Sequence, residues 1–297
     1  MRSRLLFACF SLGFLVIVLT WAGRAAAQST SEGDGTQFAL NRFEPSFAGD
    51  RMFGVQSAFT PGNPGLHVGV FGDYAHDPLV LRTADGEKQV GGVVSRQFFL
   101  HLNATLALFD RLSVNVNAPL AVYQKGGDPE AGGVAYTSPD EAQFGDLRFG
   151  ARLRLFGEYF DPFQIALGGY VWAPTSPSDS FVGEPSARGM PQLILGGLAA
   201  DTVVWSFNVG TEFRPKTEIV ETEQGAMLRY GAGVGVLLGD ARRLQLTGEY
   251  SGGFVYDQIE ADALNSELLF GARYRIVEDV ELGAGAGPGL SAGVGTP

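Results

Sequence analysis

The chain shows a repeated alternation of apolar and polar residues in segments of about ten to thirteen residues. From residue 97 to residue 108 the even positions are apolar, and most of the odd positions are polar. After a turn at Asp110 and Arg111 the alternation resumes at Leu112. A period of two residues places the two kinds of side chain on opposite faces of a strand, so this region predicts a β-hairpin.

The same alternation predicts eleven strands. They lie at residues 65–74, 97–108, 112–117, 147–155, 162–173, 192–200, 203–209, 228–236, 244–254, 268–276 and 280–287. Strands of soluble sheets average about five or six residues, whereas a tilted strand needs roughly nine to eleven to cross a bilayer. Most of the predicted lengths are closer to the second value.

The connections between these strands alternate between short turns and long polar loops. The turns lie near residues 109–111, 159–162, 200–201, 239–241 and 278–279, and the loops near 75–94, 124–144, 175–190, 215–225 and 257–263. Outer-membrane barrels alternate short periplasmic turns with long extracellular loops, and lipid tolerates a sheet only when its edges are closed. The predicted fold class is therefore all-β, an antiparallel transmembrane β-barrel. A soluble secreted β-protein is the alternative.

The odd number of readable strands predicts that about twelve belong to the barrel. Bacterial single-chain barrels have an even number, so that both ends of the chain lie in the periplasm. The glycine-rich residues 285–297 are then expected to form a loop before a closing strand that this chain lacks. Alternatively, residues 51–59 act as a substitute strand.

The first residues predict export. Arg2 and Arg4 precede an apolar run at residues 5–22, and Ala25 to Ala27 form a small-residue cleavage pattern. These features predict a signal peptide at residues 1–27, with an uncleaved membrane anchor as the alternative. The only cysteine is Cys9, so cleavage would leave a mature chain without disulfides, thiol nucleophiles or cysteine metal sites.

The mature chain divides into two predicted parts. Residues 28–60 form an N-terminal periplasmic segment or plug, and residues 61–297 form the outer-membrane barrel. Residues 28–36 are small and polar, whereas residues 38–53 are more apolar and are expected to pack at the periplasmic mouth or to enter the barrel.

Charge and composition narrow the partners. The chain has 21 basic and 32 acidic residues, and the leader removes three arginines but no acidic residue. A strongly acidic mature chain argues against nucleic acid as a partner. The expected partners are outer-membrane lipid, lipopolysaccharide and small solutes. Glycine is unusually common, at 42 of 297 residues.

The polar face of the predicted strands carries the candidate functional residues. The charged positions expected to face the lumen are Arg148, Arg152, Arg154, Arg229, Arg243, Glu249, Glu267, Arg273 and Arg275, together with Glu212 and Arg214. One interpretation is a salt-bridged lumen that stabilises a narrow barrel. The other is a basic constriction that favours anionic solutes, because rings of charge select ions in pores.

The sequence predicts neither catalysis nor a bound cofactor. The three histidines, His67, His76 and His101, are not paired with a nucleophile in the pattern. No two of them have the spacing of metal ligands within one strand, so no metal site is predicted. The chain is therefore not expected to be an enzyme.

Four stretches resemble the barrel module of large OmpA-like outer-membrane proteins of myxobacteria. They are residues 38–45 (FALNRFEP), 49–53 (GDRMF), 145–152 (GDLRFGAR) and 283–290 (GAGAGPGL). The resemblance implies a structural protein or a passive small-solute pore in the cell outer membrane. In that family calcium-binding repeats and a peptidoglycan-binding domain follow the barrel; this chain lacks both, so peptidoglycan is not an expected partner. The alternative is a specific channel for small hydrophobic or anionic substrates.

Overall fold

The computed structural model describes most of the chain after the predicted leader. The described residues are 39–40, 43–59, 61–82, 89–127, 130–131, 134–135, 141–177, 181–219, 222–256 and 264–291. The predicted signal peptide and the polar residues 28–36 lie outside them. Within these ranges no helix is long and apolar enough to cross a membrane.

Eleven long strands form one antiparallel sheet. They are β1 (Gly65–Arg82), β2 (Gln89–Leu108), β3 (Leu112–Lys125), β4 (Leu147–Phe156), β5 (Gln164–Ala173), β6 (Arg188–Ala199), β7 (Val203–Glu212), β8 (Met227–Leu238), β9 (Leu244–Val255), β10 (Leu264–Val277) and β11 (Val280–Ala286). Each strand is hydrogen-bonded to its neighbours in chain order. The predicted fold class and the eleven predicted strands are confirmed.

Short strands lie in the long connections. Gln143–Phe144 pairs with β3, Glu130–Ala131 pairs with Val134–Ala135, and Thr217–Ile219 pairs with Thr222–Gln224. The long connections therefore contain local hairpins, which the sequence pattern assigned to loops.

The first hairpin is longer than predicted. Pairing between β1 and β2 continues beyond Tyr74 to Arg82, so the predicted loop at residues 75–94 was wrong over most of its length. The register shifts between His76 and Leu79, where Asp77 has a φ of 51° and Pro78 has no amide hydrogen. This bulge interrupts the two-residue period, which is why the pattern resembled a loop.

The residues after β11 also differ from the expected loop. The Leu268 amide donates to the Pro288 carbonyl, and the Leu290 amide donates to the Ser266 carbonyl. Residues 288–290 therefore continue along β10 in the register of β11. Gly287 makes this path feasible because a side chain there would collide with the Leu268 backbone. No twelfth long strand occurs within the described residues.

The short turns have the geometry that twisted hairpins favour. Phe109 and Asp110 have φ values of 57° and 52°, and Ala200 and Asp201 have values of 48° and 57°. Two consecutive residues in the left-handed region make a type I′ turn, whose twist matches that of the strands it joins. These turns lie where the sequence predicts them.

The sheet has an apolar outer face and a polar inner face. The exposed apolar side chains include Leu66, Val68, Val70, Leu102, Leu106, Val114, Val116, Phe149, Leu153, Leu167, Val171, Phe207, Val234, Leu246, Phe270 and Ile276. The buried polar ones include Gln97, His101, Asn103, Asn115, Asn117, Arg148, Arg152, Gln192, Ser206 and Glu249. Exposed apolar surface of this extent is unusual in a soluble monomer, but outer-membrane barrels present it to lipid.

Leu102 tests whether this outer face contacts lipid. It lies in the middle of the predicted crossing part of β2 and is 59% exposed, whereas Leu66 at the start of β1 is 72% exposed. A cation at the bilayer midplane costs about 2–4 kcal/mol, and one near the interface about 0–1 kcal/mol. We expect Leu102→Arg to lower the free energy of unfolding in phospholipid vesicles by the larger amount and Leu66→Arg by the smaller. Equal effects in a denaturant titration would contradict a lipid-facing surface.

Candidate functional site

Residues 43–59, called the inner segment below, lie against the polar inner face and contain no strand. Just before this segment, the Leu40 amide donates to the Phe181 carbonyl in the connection between β5 and β6, at the long-loop end, over 3.2 Å. Just after it, the Gly62 amide donates to the Asp110 carboxylate at the short-turn end, over 3.1 Å. The segment thus runs the length of the sheet. The alternative expectation of a substitute strand at residues 51–59 is wrong.

The sheet curves around this segment. Near its middle, a side-chain carbon placed on Gly49 would lie 2.7 Å from the His67 ring in β1. Four residues later, the Phe53 ring lies against Gly271 in β10 and Gly283 in β11. Because adjacent parts of one segment contact both the first and the last strand, the two edges of the sheet lie on either side of it.

A buried ion pair joins the segment to β4. The two terminal nitrogens of Arg152 donate to the two carboxylate oxygens of Asp50, each over 2.8 Å, and both side chains are 1% exposed. Arg152 also donates to the Phe59 carbonyl over 2.7 Å, and the second oxygen of Asp50 accepts the Ser57 amide over 3.1 Å. This bidentate arrangement fixes the orientation as well as the position of the segment.

A second buried arginine on β4 binds the beginning of the segment. Arg148 donates to the Glu44 carboxylate and to the Pro45 carbonyl, each over 2.7 Å. The other oxygen of Glu44 accepts the indole N–H of Trp172 over 2.9 Å. The Arg148 guanidinium lies 4.3 Å from the centre of the Tyr170 ring, a distance typical of a cation–π contact.

Glu249 on β9 binds the backbone of the segment directly. Its carboxylate accepts the amide hydrogens of Phe53, Gly54 and Val55 over 2.6, 2.9 and 2.9 Å. Three consecutive amides that converge on one anion form a concave anion-binding turn. The turn between Asp50 and Val55 is therefore held by a side chain of the wall and not by a neighbouring strand.

Further side chains of the wall bind the carbonyl groups of this turn. Arg273 on β10 donates to the Asp50 carbonyl over 2.5 Å and to the Met52 carbonyl over 3.2 Å. Gln245 on β9 donates to the Arg51 carbonyl over 2.6 Å. The backbone polar groups of a buried segment without secondary structure thus find partners, as burial requires.

The apolar side chains of the segment occupy hollows made by inward-facing glycines. The facing residues are Phe47 with Gly150, Met52 with Gly233, Val55 with Gly231, and Phe53 with Gly271 and Gly283. A side-chain carbon placed on Gly150 would lie 2.6 Å from two carbons of the Phe47 ring, so this position has no room for a larger residue. Part of the high glycine content therefore serves the fit between wall and segment.

A charge cluster lies at the long-loop end, where the connection between β5 and β6 folds inward. Arg188 lies 3.2 Å from Glu212, 3.5 Å from Asp146 and 3.6 Å from Glu184, and Arg214 lies 2.5 Å from Glu184. All five side chains are less than 9% exposed. The cluster holds this connection against the strands.

Asp146 organises the base of this connection. Its carboxylate accepts the amide hydrogens of Thr175, Ser176 and Glu184 over 3.2, 3.3 and 2.9 Å. Burial raises the pKa of the Asp146 carboxyl above its usual value, although the Glu184 amide, Arg188 and the amide and side chain of Ser176 act in the opposite direction. Removal from water is therefore the larger effect on this group.

The structure places the candidate charged residues in three environments. Arg148, Arg152, Arg154 and Glu249 are buried on the inner face, and Arg154 donates to the Asp110 carbonyl at the short-turn end. Three others are partly buried on that face: Arg229, 3.2 Å from Glu212; Glu267, which accepts a hydrogen bond from Ser251; and Arg273, 2.8 Å from Glu281. The side chain of Arg214 is buried in the charge cluster at the long-loop end. Arg243 and Arg275 are exposed near the short-turn end and contribute nothing to the contacts of the segment described above.

Sequence reasoning missed the partners of the candidate arginines. Glu44 and Asp50 lie in a segment without alternation, and Glu184 lies in a connection assigned to a solvated loop. A carboxylate beside apolar residues, as in the stretch around Asp50, was the only available signal. It does not identify an arginine about one hundred positions away.

Comparisons with known proteins match the fold. No family model matches the chain, and no curated protein sequence does. Among solved structures, the chain is similar to an outer membrane channel from Pseudomonas putida F1, with a TM-score of 0.57 and 12% sequence identity. The match covers 78% of this chain and 90% of the channel. At this identity the likeness shows the fold alone, which is that of an outer-membrane β-barrel channel.

Glu249→Gln tests the anion-binding turn. The amide of glutamine keeps one acceptor oxygen but presents N–H groups to amide donors, so at least one of the three backbone contacts is lost. Hydrogen bonds to charged groups contribute about 1.5–3 kcal/mol, and we expect the free energy of unfolding to fall by about 2 kcal/mol. Glu278→Gln, in the exposed turn before β11, is the matched control. Equal unfolding midpoints for the two variants would show that the turn does not depend on Glu249.

Proposed function

We propose that the chain is an outer-membrane channel for small solutes whose path is closed by its own inner segment. The observation that carries this proposal is the position of residues 43–59 along the inner face, where Arg148, Arg152 and Glu249 bind them. The outer-membrane β-barrel fold supports the location, and the apolar outer face would contact lipid and lipopolysaccharide. No enzymatic activity is proposed.

The chemistry of the contacts favours a segment that can leave. Much of the interface between segment and wall consists of ion pairs and hydrogen bonds, whose polar groups water can also satisfy. If the segment withdraws, Arg152 and Glu249 exchange their partners for water, and the interior of an open barrel is polar and hydrated. Replacing a buried ion pair by hydrated charges returns much of the desolvation cost.

The seated segment also bears on solute preference. Arg148 and Arg152 would form the basic constriction that favours anions, but carboxylates of the segment neutralise both. In the closed state these arginines therefore bind the segment and not a solute. The arrangement therefore supports a specific channel for small solutes more than a channel in which a ring of unpaired arginines selects anions.

The alternative is a structural protein or passive pore of the OmpA-like type, in which the segment never moves. The close fit of Phe47 over Gly150 favours this alternative because displacement would leave an empty hollow in the wall. The two functions differ in one respect: only the proposed channel depends on motion of the segment.

A disulfide between segment and wall tests this dependence. A Cβ atom placed on Gly196 in β6 lies 3.7 Å from the Cβ atom of Ala58, within the range that disulfides require. The only natural cysteine, Cys9, lies in the predicted leader. We expect oxidised Ala58→Cys/Gly196→Cys protein to lose at least nine-tenths of the wild-type open-channel events in planar bilayers, and reduction to restore them.

Two controls accompany this measurement. Each single cysteine variant should conduct like the wild type under oxidising conditions. A second pair, Ala48→Cys with Gly69→Cys, joins the segment to β1 at 3.8 Å and should give the same closure. Conductance that is unchanged by complete oxidation of both pairs would show that solutes pass a seated segment, and the proposal would fail.

A further inference from the structure

A cavity of about 100 Å³ remains between the inner segment and the strands from β5 to β10. Its lining includes Phe43 and Gln56 from the segment, and Met227, Gly253 and Asn265 from the wall. Met227 and Asn265 lie at the start of β8 and β10, and Gly253 lies at the end of β9, so all three are near the long loops. The cavity therefore lies in the half of the molecule that faces the long-loop end.

Three residues that line the cavity have a buried oxygen without a hydrogen-bond partner among the described residues. The atoms are Oε1 of Gln56, Oδ1 of Asn265 and the hydroxyl oxygen of Tyr170. Gln56 and Tyr170 are 3% and 4% exposed. Buried polar groups normally have partners; the Gln56 and Asn265 oxygens can only accept a hydrogen bond, and the Tyr170 hydroxyl can accept or donate one. A ligand suited to this site would therefore be a donor.

The uncompensated charge of the cavity is negative. Glu267 lines it and accepts one hydrogen bond, from the Ser251 hydroxyl over 2.8 Å, and within the described residues it has no ion pair. The other charged residues of the lining are engaged elsewhere: Glu44 with Arg148, Glu249 with three backbone amides, and Arg229 with Glu212. A site that is rich in hydrogen-bond acceptors and contains a carboxylate without an ion pair among the described residues attracts a cation.

Apolar side chains form another part of the lining. Phe43 and Val55 on the segment face the cavity together with Met190, Met227 and Leu269 on the wall. Methionine side chains adapt to ligands of different shape, so this surface suits a compact hydrocarbon group. Hydrogen-bond acceptors and a carboxylate beside an apolar surface suit a ligand with a cationic donor group at one end and an apolar body at the other.

We propose that this cavity binds a small organic cation with a hydrogen-bond-donating ammonium group and an apolar body. Glu267 and Asn265 receive the ammonium group, and Met190, Met227 and Leu269 contact the body. The role of such a ligand as a permeating solute rests on the proposed channel function. The binding site itself requires only that the inner segment is seated, because Phe43 and Gln56 form one of its walls.

Three probes of nearly equal size separate charge and donor capacity: benzylammonium, benzyl alcohol and benzoate. Titration calorimetry of the full chain in detergent should show saturable binding of benzylammonium, at least tenfold weaker binding of benzyl alcohol, and none of benzoate. A charge-assisted hydrogen bond is worth roughly a tenfold change or more. Glu267→Gln should therefore weaken the binding of benzylammonium at least tenfold, and Asn265→Leu should weaken this binding by a smaller factor. The control Glu278→Gln, in the exposed turn, should leave the affinity for benzylammonium unchanged.

Three results would overturn the proposal: no saturable binding of benzylammonium, equal binding of benzoate, or unchanged affinity in Glu267→Gln. The oxidised Ala58→Cys/Gly196→Cys protein separates this proposal from the channel function, because its segment stays seated and its benzylammonium affinity should remain within twofold of the wild type. If this disulfide leaves conductance unchanged while Glu267-dependent binding persists, the proposed channel function is wrong and the proposed binding site is supported. If the disulfide closes the channel but the wild type binds no benzylammonium, only the proposed binding site is wrong.

Discussion

Two arginines on one strand determine how the interior of this protein is organised. Arg148 and Arg152 point inward from β4 and are almost fully buried. A charge in this position needs either water or a carboxylate, because the cost of an unpaired buried ion is several kcal/mol. Glu44 and Asp50 meet this need, and they bring the backbone of the inner segment with them.

The remaining features of the interior follow from that arrangement. Once Asp50 is fixed, the next residues turn back and their amides converge on Glu249. The apolar side chains between these anchors then need space, and glycines such as Gly150 and Gly233 provide it. The wall and the segment are thus complementary in charge, hydrogen bonding and shape. The cavity beside Glu267 lies where this complementarity ends.

The sequence predicts the strands of the wall better than it predicts the inner segment and the connection that fold inside them. Alternation locates all eleven strands because most of them have one apolar outer face and one polar inner face, and type I′ turns such as that at Asp110 follow from local chemistry. It also places Arg148 and Glu249 on the inner face. The pairing of Arg152 with Asp50 joins residues about one hundred positions apart through a segment without a period, so no local pattern shows it. The inward fold of the connection around Glu184 is hidden for the same reason.

Amide hydrogen exchange tests the central claim most directly, namely that the inner segment is seated inside the barrel in a membrane. The amides of Phe53, Gly54 and Val55 donate to Glu249, and the Ser57 amide donates to Asp50. In lipid nanodiscs at neutral pH these four amides should exchange at least a hundredfold more slowly than in a free peptide of residues 43–59. Exchange at the rate of the free peptide would show that the segment lies outside the barrel and would contradict this account.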